Sequence, residues 1–181
     1  MMKKIHDVRA GCKFSKRKVF FDTNVWIAID GNDPRPTSAC YSDFYGEICK
    51  SDNVIVINDY VIGEFFNRTC KTNYKLMFDD DPEMRQFKSR RSANRDFRLM
   101  VESVRDTCLN FLDDCEYEPA AVDRGSYQSI VEEAGKGEMD LTDIVVREHC
   151  LAKGYVLVSH DADFINCGIE LVTANRKLLP K

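Results

Sequence analysis

The sequence predicts an α/β chain, a three-layer α/β/α domain around a mostly parallel central sheet. Three observations point there. Short, wholly apolar runs, Val19-Phe20-Phe21, Val54-Ile55-Val56-Ile57 and Tyr155-Val156-Leu157-Val158, read as strands buried on both faces, since a strand with one wet face would alternate. Segments with apolar residues at helical spacing separate these runs, so strands and helices take turns along the chain. The 181 residues, 44% hydrophobic and 31% charged, suffice for one domain with a single sizeable core.

Taken in order, residues 1–18 are a basic N-terminal arm or a lead-in, and residues 19–181 form the domain. The first strand, 19–22, ends abruptly in Asp22-Thr23-Asn24, and a helix near 24–30 follows with Val25, Trp26, Ile27 and Ile29. Gly31 to Pro36 is a loop. Thr37 or Ser38 is placed to cap a helix bearing Tyr41, Phe44, Tyr45 and Ile48. After the second strand, 54–57, Asn58 or Asp59 caps a long helix carrying Val61, Glu64, Phe65 and Phe66. Asp81-Pro82-Glu83 has the order of an N-cap, an N1 proline and a first-turn acid, and predicts one helix running to about 113. A turn at Pro119, with a minor strand, leads to a helix near 126–134. Thr142 or Asp143 starts a helix that Lys153-Gly154 stops with a last-turn cation and a C′ glycine. The third strand runs into Ser159-His160-Asp161, residues 162–168 make a short helical turn, and 169–172 is a final strand. The middle of the chain, about 70–136, is an additional helical region.

Composition excludes several function classes. No run approaches the ~20 apolar residues of a membrane span, and the basic N-terminus lacks the apolar stretch of a signal peptide. A cytoplasmic protein is the expectation. The net charge of −4 argues against a stoichiometric coat for nucleic acid, but says little about an enzyme whose own carboxylates lower the total. The eight cysteines (12, 40, 49, 70, 108, 115, 150 and 167) form no C-x-x-C pair and are expected to be reduced, mostly buried small hydrophobes.

The acids carry the chemistry. Asp22 ends the first strand, Glu64 lies one turn into the helix after the second, Asp143 starts the helix before the third, and Asp161 follows that strand. In a parallel α/β sheet these points converge on one edge, outside the carboxyl ends of the strands. Two carboxylates ~4 Å apart repel by ~1 kcal/mol in water and by ~4 kcal/mol at an effective dielectric near 20. Four together call for a cation, and hard Mg²⁺ or Mn²⁺ takes oxygen ligands of this kind. A magnesium site built on carboxylates is usually completed by waters and substrate phosphates, which points to metal-assisted phosphoryl chemistry.

With those residues in view, the sequence resembles the PIN-domain family. VFFDTNVWIAID, VIVINDYVIGEFFNR and TDIVVREHCLAKGYVLVSHDADF match its ordered pattern over about half the chain. That pattern is a strand ending in Asp-Thr-Asn, a later helical Glu, an Asp opening a helix that ends in Gly, and a strand ending in Thr-x-Asp-x-Asp-Phe. Members are metal-dependent nucleases, many of them ribonucleases, including VapC-type toxins of bacterial toxin–antitoxin pairs. The resemblance implies a PIN-like fold, endoribonuclease activity with Mg²⁺ or Mn²⁺, and Asp22, Glu64, Asp143 and Asp161 as the catalytic, metal-binding acids. Thr23 and Asn24 match the polar pair beside the first acid, and Ser159 stands where many members have Thr. The partners it implies are an RNA substrate and an antitoxin-type protein inhibitor; a homodimer is also compatible, and a membrane is not expected. The region about 70–136 matches no motif of the family.

Each assignment has a plainer reading beside it. Asp22, Asp143 and Asp161 are all placed to act as N-caps, which is compatible with metal binding, and a helical Glu is usually solvated. Asp163 is a further candidate metal ligand, Asp140 a reserve for Asp143, and His160 a candidate base, although a histidine at a strand end is more often structural. The stretch RQFKSRRSANRDFR, 85–98, offers Arg90, Arg91 and Arg95 as a grip on RNA phosphates, or simply a solvated helix face. Trp26 and Phe65, Phe66, Phe87, Phe97 and Phe111 read as core or interface. Two rival functions remain. One is a phosphatase with Asp22 as nucleophile, which Asn24 disfavours by replacing the usual acid. The other is an inactive PIN-like scaffold that binds RNA or protein.

Overall fold

The computed structural model describes residues 4–31, 35–120 and 122–179. Met1–Lys3 of the expected arm and Asn32, Asp33 and Pro34 of the expected loop lie outside the described residues. The elements, in chain order, are β1 (Ile5–Asp7), β2 (Lys18–Phe21), α1 (Thr23–Ile29), α2 (Ser38–Cys49), β3 (Val54–Ile57), α3 (Asp59–Met77), α4 (Phe87–Ala93), α5 (Arg95–Asp114), β4 (Glu116–Tyr117), α6 (Arg124–Ala134), α7 (Leu141–Lys153), β5 (Val156–Val158) and β6 (Glu170–Thr173). Short 3-10 turns cover Val8–Ala10 and Ala162–Asn166. No helix among the described residues is long and apolar enough to cross a membrane.

The strands form one sheet in the order β1-β6-β5-β2-β3-β4, and every neighbouring pair is parallel. Ile5–Asp7, within the stretch read from sequence as an arm or lead-in, is the edge strand beside β6. Consecutive residues of a strand face opposite ways, and β2 shows the layers directly. Phe21 packs on Trp26 of α1 and on Phe44 and Tyr45 of α2, while Phe20 packs on His149 of α7. Trp26 in turn meets Phe111 of α5, which meets Phe65 of α3. Helices thus cover both faces, and Val19, Phe20 and Phe21 are fully buried, as their unbroken apolar run requires.

From β2 the chain moves outward through β3 to β4, then returns to place β5 on the other side of β2. This reversal is the switch point of an open α/β sheet, where a crevice opens at the strands' carboxyl ends. Asn58 caps α3 by accepting from Val61 N at 3.0 Å, which fixes Glu64 about a turn and a half in. Gly154, at φ +68° after α7, is left-handed and turns the chain into β5.

The single helix expected from Asp81 to about 113 is instead a turn followed by two helices. The Asp81 carboxylate is buried and accepts hydrogen bonds from Tyr74 Oη (2.5 Å), Arg85 N (3.0 Å) and Gln86 N (2.8 Å), so it organises the turn before α4 rather than capping a helix itself. Asn94 is extended and accepts from Phe97 N at 2.9 Å, which ends α4 and starts α5. Around this turn Tyr74, Phe78, Phe87 and Phe97 make a satellite aromatic cluster, with Tyr74–Phe97 and Tyr74–Phe87 centroids both 5.2 Å apart.

Candidate metal centre

At the switch point β2 delivers Asp22 and β5 delivers Ser159, His160 and Asp161. Asp22 is 4% exposed. Ser159 Oγ donates to its Oδ2 at 2.6 Å, and Asn24 Nδ2 donates to the same oxygen. Oδ1 is left without a side-chain donor among the described residues. Asn24 also donates to Ser159 Oγ (3.1 Å) and accepts from His160 N (3.0 Å), while Asp161 N donates to Ser159 Oγ (3.0 Å). Ser159 and Asn24 therefore lock the ends of β2 and β5 together and fix the Asp22 carboxylate between them.

The remaining acids come from α3 and α7. Glu64 accepts from Thr23 Oγ1 at 2.9 Å and from Arg68 Nη1 at 3.1 Å. Helix α7 begins one residue earlier than Thr142, at Leu141, with Asp140 as the capping residue but no side-chain cap bond. Asp143 sits in its first turn. Asp161 caps the 3-10 turn by accepting from Asp163 N at 3.0 Å.

Ligand oxygens of Asp143, Asp161 and Asp163 all lie within 4.8 Å of one another. Asp22, Glu64, Asp140, Asp143 and Asp161 share one cleft of about 790 Å³, so the structure brings the four acids together, and it sets Asp163, the further candidate from sequence, beside Asp143 and Asp161. The tight triad is Asp143, Asp161 and Asp163; Glu64 stands across the cleft in its ion pair with Arg68.

The electrostatics agree with the crowding. Burial, then the charges of Glu64 and Asp161, push the Asp22 carboxyl up to about 6, against the hydrogen bond from Ser159 that holds it down. Asp143 is pushed up to about 7 by burial and by Asp22, Asp161, Glu64 and Asp140. Burial and the charges of Asp161 and Asp140 raise Asp163 as well. At neutral pH such a set is stable only with protons or a cation among the oxygens. The all-oxygen set of Asp143, Asp161 and Asp163 has the spacing to hold a hard divalent ion, with Asp22 and Glu64 in the same cleft.

No family model matches this chain, and no curated protein matches it. Among solved structures, the VapBC2 complex from Rickettsia felis, crystallised with a DNA fragment from the complex's promoter, contains a similar chain. The TM-score is 0.56 and the identity 16%, over 86% of this chain and 98% of that one. The fold is shared. At that identity the likeness speaks for architecture, and the chemistry has to be argued from the residues.

Other residues singled out in the sequence have other employment. Arg90 makes a two-bond pair with Asp80 (2.6 and 2.8 Å), and its guanidinium lies 4.3 Å from the Phe78 ring centroid, so it seals the satellite cluster. Arg91 lies over Phe87 at 5.7 Å and is exposed, as is Arg95. The His160 ring lines the cleft, with Nδ1 2.8 Å from Tyr41 Oη, while its carbonyl accepts from Asn175 Nδ2 at 2.9 Å. Arg35, Arg68 and Thr72 also line the cleft, and the sequence reading missed them. Arg68 alone left a trace there: it stands four residues after Glu64, the spacing of a helical ion pair.

Proposed function

We propose that this chain is a metal-dependent endoribonuclease that hydrolyses RNA phosphodiester bonds at the acidic cleft. One observation carries the reading: six carboxylates, Asp22, Glu64, Asp140, Asp143, Asp161 and Asp163, gather at the sheet's switch point, where burial and mutual charge push the Asp22, Asp143 and Asp163 carboxyls up. Mg²⁺ or Mn²⁺ bound there would acidify water and neutralise charge on the scissile phosphate. The chain's own part is orientation. Ser159 and Asn24 hold Asp22 by one oxygen and aim the other, Thr23 positions Glu64, and Asp161 is fixed through its backbone by Ser159. The phosphatase alternative loses support, because Asn24 is an amide bound to Asp22 and Ser159 and has no acidic proton to give. The likeness to VapBC2 supports a toxin held by an antitoxin-type inhibitor as the setting.

The test is cleavage of labelled RNAs by the purified chain with Mn²⁺ or with EDTA. Cutting with Mn²⁺ that EDTA abolishes is expected; a chain that cuts no RNA with Mn²⁺, or with Mg²⁺ in its place, refutes the reading and moves weight to a binding scaffold. Ser159→Ala should lower the cleavage rate by about 10–100-fold, the usual cost of losing a group that orients a metal ligand. Because Ser159 holds the Asp22 carboxyl down, its loss should also move the acid limb of the pH–rate profile to higher pH. An unchanged profile would mean that Ser159 serves packing alone.

A further inference from the structure

Helix α3 carries more than Glu64. The face that presents Glu64 to the cleft continues in steps of three and four as Arg68, Lys71, Thr72 and Lys75, which helical geometry gathers into one narrow stripe. Arg68 and Thr72 line the same cleft as Glu64, and all four residues are exposed. The stripe's cations stand about 6, 10 and 16 Å beyond Glu64 along the axis, at ~1.5 Å per residue. The other side of α3 is buried through Phe65, Thr69, Cys70 and Tyr74, so the helix cannot roll.

A run of lysines is usually a solvated face. Position sets this one apart. Among the described residues Lys71 and Lys75 have no acidic partner, but neither have Arg91 and Arg95, and Arg68 is paired with Glu64. What distinguishes the α3 stripe is its continuity with the acidic cleft through Arg68 and Thr72, and a polyanion needs cations beside such a cleft to approach it at all. We propose that Arg68, Lys71 and Lys75 form the track that holds the phosphate backbone of a single-stranded RNA as it leaves the cleft. The single strand follows from depth: Asp22 is recessed, and a phosphate reaches it only if the strand bends inward, as an unpaired strand does freely. The proposal rests on the nuclease reading and moves the RNA grip from Arg90, Arg91 and Arg95 to α3.

The experiment is binding of a fluorescein-labelled oligouridylate to the full chain in EDTA, followed by anisotropy over a salt series. Each phosphate contact on a single strand contributes about 0.7 to the slope of log affinity against log salt. Lys71→Gln/Lys75→Gln should therefore reduce that slope by about 1.4 and weaken binding at low salt, whereas Arg91→Gln/Arg95→Gln leaves both unchanged. Both lysines are exposed, so the variant keeps its core. An unchanged slope in the lysine variant, a loss in the arginine variant instead, equal binding of an RNA duplex, or no binding by the wild type would each overturn the track. Since EDTA binding reads no cleavage, a chain that never cuts but shows the slope change loses the nuclease reading and keeps the track. A chain that cuts without the slope change does the reverse.

Discussion

Asp22→Asn should abolish Mn²⁺-dependent RNA cleavage while making the metal-free protein more stable. Taking one carboxylate from a cation's ligand set forfeits several kcal/mol of electrostatic stabilisation, on the order of a 10³-fold loss of rate. The opposite sign in stability follows from the same charge. Burial and its acidic neighbours hold the Asp22 carboxyl at about 6, against an ordinary 3.8, so the ionised form is disfavoured in the folded chain by roughly 3 kcal/mol. Asparagine removes that charge yet keeps an oxygen for the bonds from Ser159 and Asn24. Cleavage assays and thermal melts at pH 8 on the same preparation check both halves. Misfolding would lower activity and stability together, and undiminished cutting would expose a contaminating nuclease.

The wild type without metal is expected to be more stable at pH 5 than at pH 8, the reverse of the usual carboxylate effect. Asp22, at about 6, and Asp143, at about 7, both titrate above their unfolded value of 3.8. The folded state thus binds more protons than the unfolded state between about pH 4 and 7, and stability falls as pH rises through that window. Asp22 alone accounts for roughly 3 kcal/mol, and Asp143 adds to it in the same direction with more solvent screening. Glu118, held near 2 by Lys18 and Tyr155, loses its contribution mainly below that window, whereas His149, pushed below its usual range by burial, opposes the two acids within it. A bound cation takes the place of the protons, so Mn²⁺ should raise the melting temperature strongly at pH 8 and little at pH 5. Melting at both pH values, with Mn²⁺ and with EDTA, decides it; a metal-free chain that gains stability from pH 5 to 8 would show that the acids do not repel.

Much of this was legible in the sequence because burial on both faces leaves a plain signature. Val19-Phe20-Phe21 and Val54 to Ile57 admit no alternation, and a carboxylate placed directly after such a run has few options but the crevice. Asp143 was legible within one residue because Asp140, Thr142 and Asp143 all suit a helix start, and only the backbone separates them. What escaped notice was long-range. Ile5–Asp7 has too few residues for periodicity to register, and its pairing with Leu171 to Thr173 is set by chain packing. Asp81-Pro82-Glu83 reads as a helix start by local rules. A hydrogen bond from Tyr74, seven residues earlier, diverts the Asp81 carboxylate to a turn. Arg90 looked like a basic contact because its partners, Asp80 and Phe78, lie ten and twelve residues away, beyond helical spacing.

Helix α3 is clamped to α5 at two places, through Phe65 on Phe111 and Tyr74 on Phe97. Between the clamps its length is quantised. Substitution can retouch any side chain there, but one inserted or deleted residue would turn everything beyond it by about 100° and shift it by ~1.5 Å. Lys71 and Lys75 would then swing off the cleft side, and Tyr74 would leave its socket on Phe97. Sequence drift in this stretch is therefore confined to replacement in place, and α3 acts as a ruler of fixed gauge between the acidic floor and the outer aromatic cluster.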